Sequence, residues 1–111
     1  MEQPARIRPA DDGTVRVELI GDIDYTNSAE VVTSLQTALA ELDEHNPKAL
    51  CVDLTEVTFL DSSGIGVLVV AGQLADQLGA VYSVVAPTRN VYEQLRITGL
   101  ADLFGILPPG A

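Results

Sequence analysis

The sequence predicts an α/β protein with one mixed sheet of four to five strands packed with three or more helices. Three observations carry this. Segments with the two-residue period of a strand alternate with segments whose apolar residues recur every three or four positions. Near the N-terminus two strand-like segments are joined by a tight turn signal, which requires antiparallel pairing, whereas the later strands are separated by helices and therefore run parallel. Finally, 111 residues with 47% hydrophobic content can bury one core and leave no room for a second. We expect a single domain over residues 1–111, with its core at about 5–107 and residues 108–111 as a tail.

Taken in order, residues 5–8 form the first arm of a hairpin whose turn is Asp11-Asp12-Gly13. The second arm, residues 14–20, alternates Val15, Val17 and Leu19 with Thr14, Arg16 and Glu18, so one face is dry and the other wet. Gly21-Asp22-Ile23-Asp24-Tyr25-Thr26 is too polar to continue it. Asn27 followed by Glu30 resembles a capping box, which places a helix over 29–42 with Val31, Val32, Leu35, Ala38, Leu39 and Leu42 inward, stopped by Pro47. The apolar run 49–52 reads as a central strand ending at Asp53. A helix after Asp61-Ser62-Ser63-Gly64 ends near Gly79, residues 81–85 form another buried strand, and Thr88 caps a helix that Gly99 ends. In that helix Val91 and Leu95 face the core, joined by Tyr92 and Thr98. Residues 103–107 supply a candidate edge strand before Pro108-Pro109-Gly110-Ala111.

Composition removes several function classes. The formal charge of -10, six Lys and Arg against sixteen Asp and Glu, is opposite to what neutralising nucleic-acid phosphates requires. It suits a basic partner surface or simple solvation. No run approaches the roughly 20 apolar residues of a membrane span, and the first residues lack a secretion signal, so a cytoplasmic location is expected. Cys51, the single cysteine, stands among apolar residues and reads as a small core side chain. The only histidine, His45, lies in a polar loop expected at the far end of the first helix from the serines, so a serine nucleophile would lack its base. There is no Gly-x-Ser-x-Gly elbow, dinucleotide fingerprint or P-loop. Asp22, Asp24, Asp53 and Asp61 have no His or Cys beside them and read as solvated loop acids. Neither a cofactor nor a metal is expected, and the chain does not read as an enzyme.

The chemistry that remains lies at Asp61-Ser62-Ser63-Gly64, where a strand exit turns into a helix start. Backbone amides without partners and the positive end of the helix face outward there, favouring a negative group by about 0.3 to 1 kcal/mol. Asp61, Ser62 or Ser63 can each serve as the cap. Because capping needs one oxygen, a second serine stays available for recognition or modification. Gly64 and Gly66, each costing about 1 kcal/mol against Ala in a helix, flank Ile65 and hint at a closely approaching partner.

Three blocks together resemble the STAS domain of anti-sigma factor antagonists. They are Gly21-Asp22-Ile23-Asp24, the stretch from Val52-Asp53-Leu54-Thr55 to Leu60-Asp61-Ser62-Ser63-Gly64-Ile65-Gly66-Val67-Leu68, and Arg96-Ile97-Thr98-Gly99-Leu100. The order and spacing match over roughly residues 14–107, and the central block is the specific one. The resemblance implies a STAS-like fold, a serine phosphorylated directly after the motif aspartate, here Ser62 with Ser63 as fallback, and a partner surface of Asp24, Asp61, Ser62, Ser63, Gly64, Ile65 and Gly66. It implies an anti-sigma factor that is also a serine kinase as partner, a sigma factor released when the unmodified domain binds it, and a phosphatase acting on phospho-Ser62. Asp22 stands where the family usually has Glu, and family members commonly carry a further amphipathic helix where this sequence has Pro108-Pro109-Gly110-Ala111. Related domains of stress-signalling assemblies and anion transporters make a ligand or nucleotide sensor, or a scaffold domain, the alternative reading.

Overall fold

In a computed structural model, which describes residues 3–9, 12–42, 48–85 and 87–109, the chain folds around one four-stranded sheet. Thr14 N–H donates to Asp12 Oδ1 at 2.9 Å and Gly13 adopts φ +89°, a conformation that glycine enters without strain. The turn folds β1 (Ala5–Pro9) antiparallel onto β2 (Thr14–Ile23), with Ala5 opposite Leu19 and Pro9 opposite Val15. Helix α1 (Ser28–Leu42) then crosses to β3 (Ala49–Leu60), parallel to β2, and α2 (Ser62–Gln77) crosses to β4 (Val81–Val85), parallel to β3. Helices α3 (Arg89–Ile97) and α4 (Leu100–Leu103) complete the described chain, and the sheet order is β1-β2-β3-β4.

The two faces of the sheet differ as strand alternation requires. Val15, Val17 and Leu19 of β2, Leu50 and Val52 of β3 and Val84 of β4 are buried in one cluster with Val31, Leu35 and Leu39 of α1 and Val67, Leu68, Ala71 and Ala75 of α2. Each large aliphatic side chain withdrawn from water there contributes about 1.5 to 3 kcal/mol. Tyr82 ties β4 to α2, because its hydroxyl donates to the Leu68 carbonyl at 2.7 Å and burial pushes that hydroxyl far above its ordinary pKa. The opposite sheet face is polar. Arg16, Cys51 and Ser83 stand side by side across β2, β3 and β4, next to the row Glu18, Asp53 and Val85.

Several expectations need correction. Strand β2 runs on to Ile23 rather than stopping at Ile20, because two register shifts against β3, with Gly21 at φ +77°, carry it past Asp22 and bury Ile23. Strand β3 does not end at Asp53. That carboxylate is buried and ionised in the middle of the strand, paired with Arg16 and accepting from Thr55 N (2.9 Å) and Oγ1 (2.6 Å), so the strand continues to Leu60. Asp53 is therefore no solvated loop acid. Cys51 is half-buried on the polar face rather than enclosed in the core.

The Asn27–Glu30 capping box does not form, since the Asn27 side chain points backward, accepting from Asp24 N at 3.0 Å and donating to Asp22 O at 2.8 Å. Residues 103–107 are not a strand. Gly99 at φ +81° restarts a helical turn as α4, and Gly105 at φ +63° closes it with Ile106 N–H donating to Ala101 O at 2.8 Å. Thr98 is exposed, its hydroxyl turned back to the Gln94 and Leu95 carbonyls, while Tyr92 packs against the core. The position of His45 and the stop at Pro47 lie outside the described residues. No helix among the described residues is long and apolar enough to cross a membrane.

Candidate functional site

Strands β2 and β3 end side by side, with Ile23 opposite Leu60, and both chains turn sharply there. Asp61 takes extended backbone angles and its Oδ1 accepts from Gly64 N at 3.0 Å, so of the three candidate caps it is the aspartate that starts α2. Its second oxygen accepts from Tyr25 N at 3.1 Å, and its own N–H reaches Ile23 O at 3.3 Å. One carboxylate thus holds both the helix start and the loop that follows β2. Gly64 fits because it has no side chain: a Cβ there would drive into the Ile23 carbonyl oxygen.

The loop after β2 is braced by its own polar residues. Asp24 Oδ1 accepts from Thr26 N (2.9 Å) and Thr26 Oγ1 (2.5 Å), and that hydroxyl and amide hold the Asp24 carboxyl below its ordinary pKa. Thr58 Oγ1 donates to Asp22 Oδ1 at 2.5 Å, tying the end of β2 to β3 just before the loop begins. Asp24 is ionised at neutral pH and engaged within its loop, while Tyr25 projects its ring outward, 79% exposed.

Ser62 is the first residue of α2 and is exposed; Ser63 is half-buried. Neither hydroxyl has a partner among the described residues, because Asp61 already supplies the cap. Their backbone amides belong to the first helical turn, which has no carbonyl acceptor within the helix. Ile65 is half-buried against the core and Gly66 opens to solvent, with no atom near where a Cβ would stand. Gly64, expected in the partner surface, is buried, with the Ile23 carbonyl close against it.

The structure therefore brings Asp24, Asp61, Ser62, Ser63, Ile65 and Gly66 to one end of the sheet, around loop and helix start. Asp53 is not among them, being paired with Arg16 in register with Glu18. Among the described residues no group of three or more His, Cys, Asp or Glu could hold a metal ion. Sequence patterns did not single out Tyr25, Asn27, Thr58 or Gln94 as parts of this end. The Asp24-Tyr25-Thr26 sequence is a legible Asx-turn signal; Gln94, on a helix distant in sequence, carries none.

A mixed sheet thus meets, at one end, an aspartate-capped helix that carries an exposed serine on its first turn. The STAS domain family profile matches residues 6–109, and the chain belongs to the STAS domain family. Among solved structures the fold is similar to an anti-sigma factor antagonist from Mycobacterium paratuberculosis (TM-score 0.77, 26% identity, covering 96% of this chain and 86% of that one). It is also similar to the Bacillus cell-fate determinant SpoIIAA in its phosphorylated form (TM-score 0.67, 14% identity, 94% and 89%) and to a sulfate transporter family protein from Wolinella succinogenes (TM-score 0.70, 18% identity, 88% and 76%).

Proposed function

We propose that this chain is an anti-sigma factor antagonist: a non-catalytic binding domain that docks an anti-sigma factor kinase through the surface around α2 and is switched off by phosphorylation of Ser62. The observation that carries the reading is the division of labour at the helix start. Asp61 supplies the cap, leaving the exposed Ser62 hydroxyl free for transfer. A phosphoryl group there adds close to two negative charges and three acceptor oxygens beside Ile65 and Gly66. The helix end tolerates it, offering orphan amides and a favourable field. A partner that docks there would have to desolvate those charges at a cost of several kcal/mol, enough to lower affinity by orders of magnitude. A phosphatase acting on phospho-Ser62 would reset the domain. The similarity to a mycobacterial anti-sigma factor antagonist over nearly the whole chain supports the same reading.

Incubation with an anti-sigma factor kinase and ATP, followed by peptide mass spectrometry, should place one phosphate on Ser62, and Ser62→Ala should abolish it while keeping partner binding. An unmodified Ser62 beside an active kinase would sink the reading. The fold it shares with a transporter family protein favours, as a second reading, a STAS module that senses a ligand. Calorimetric titration with ATP and GTP separates the two, since heat and a saturable site belong only to the sensor.

A further inference from the structure

Strand β4 pairs with β3 only from Ala49 to Asp53, so among the described residues the last part of β3 has β2 on one edge and no strand on the other. Side-chain amides of α3 occupy that edge. Gln94 Oε1 accepts from Leu60 N at 3.2 Å and its Nε2 donates to Leu60 O at 2.5 Å, while Asn90 Nδ2 donates to Thr58 O at 3.3 Å. Thr58 and Leu60 are two apart, so their backbone groups point to the same edge of the strand. Gln94 thus presents one donor and one acceptor to one residue, as a neighbouring strand would.

From this we infer that Gln94 is a positioning residue for Ser62. It fixes the Leu60 peptide, the residue immediately before Asp61, and so sets where the Asp61 carboxylate stands to cap α2 and hold Tyr25. The inference rests on the reading of Ser62 as the acceptor only for its consequence: with the clamp open, the serine would be presented in many orientations instead of one.

The test needs no partner. In Gln94→Ala, amide exchange read by NMR should speed by about tenfold at Leu60 and Gly64, while Val17 and Val52 in the centre of the sheet keep their rates. Equal acceleration everywhere would show an ordinary loss of stability, and unchanged rates at Leu60 and Gly64 would show no clamp; either overturns the inference.

Gln94→Glu gives a second readout. Ionised, its carboxylate accepts from Leu60 N but meets the Leu60 carbonyl with a lone pair; protonated, it donates to that carbonyl again. Amide shifts of residues 60–64 should differ from wild type at neutral pH and converge on it as the pH falls through the new carboxyl's pKa. The other charged groups nearby, Asp61, Asp22 and Asp24 near the turn and Glu93 with Arg96 on α3, are present in the wild type as well, so the comparison removes them. A difference independent of pH would overturn the inference. Since no kinase enters either measurement, failure here leaves the phosphoacceptor reading intact, and failed phosphate transfer leaves the clamp intact.

Discussion

Gly64 and Gly66 stand two residues apart in one helical turn and answer to different demands. At Gly64 the Ile23 carbonyl occupies the space of a Cβ, so Gly64→Ala must move backbone and should cost about 1 to 3 kcal/mol. At Gly66 that space is open and the residue lies within α2, so Gly66→Ala should stabilise the domain by about 0.5 to 1 kcal/mol. Urea unfolding of the two variants checks both signs, and a destabilised Gly66→Ala would contradict the open surface. From sequence the two glycines look alike, because what separates them is a carbonyl from another strand. The exposed serine was legible from Asp61-Ser62-Ser63-Gly64. That Asp61 rather than a serine supplies the cap was not, since each of the three residue types caps helices well.

Strands β2 and β3 show where element boundaries escape the sequence. Polar residues at Asp22 and Asp53 read as stops, yet each carboxylate has a partner, Thr58 for Asp22 and Arg16 with Thr55 for Asp53, and the strands run on. Asp53 also carries a pH dependence. Burial alone would raise its pKa, but the Thr55 hydroxyl and amide together with Arg16 outweigh burial and hold it below the ordinary carboxylate value. A depressed folded-state pKa contributes stability that is complete above the unfolded value of about 4 and is lost as pH falls through the folded one. Asp53→Asn should therefore cost about 1 to 2 kcal/mol near neutrality and flatten the acid side of the stability profile. Urea midpoints measured from neutral pH down through the acid range would show this, and parallel profiles for variant and wild type would refute it. The alternation of strand and helix was legible throughout, apart from the final segment. There Gly99, which reads as a helix stop, and Gly105, which falls inside the expected edge strand 103–107, bound a further helical turn instead.

For the molecule as a whole, the mixed four-stranded sheet follows from spacing that sequence displays: a tight N-terminal turn and helix-length connections afterwards. Less legible was how far the polar face extends, because Arg16 and Glu18 mark it on β2 but Cys51 and Asp53 join it only once the register is known. The chain carries a formal charge of -10, and surface charge of one sign steers association with a basic partner over distances that salt screens. Association with an anti-sigma factor partner should slow by about tenfold between low and high ionic strength, with dissociation much less affected. Stopped-flow measurement across a salt series tests this; a salt-independent association rate would assign the acidity to solubility alone.

The short β4 also orders events in time. Leu60 receives its partner from Gln94, far downstream in the chain, so a nascent polypeptide emerging through α2 already carries the serine and the Asp61 cap but not the Gln94 amide that pairs with Leu60. Only when α3 has been synthesised and docked does the surface around Ser62 exist in finished form. On the function proposed for Ser62, the surface offered to a partner is complete only when folding nearly is.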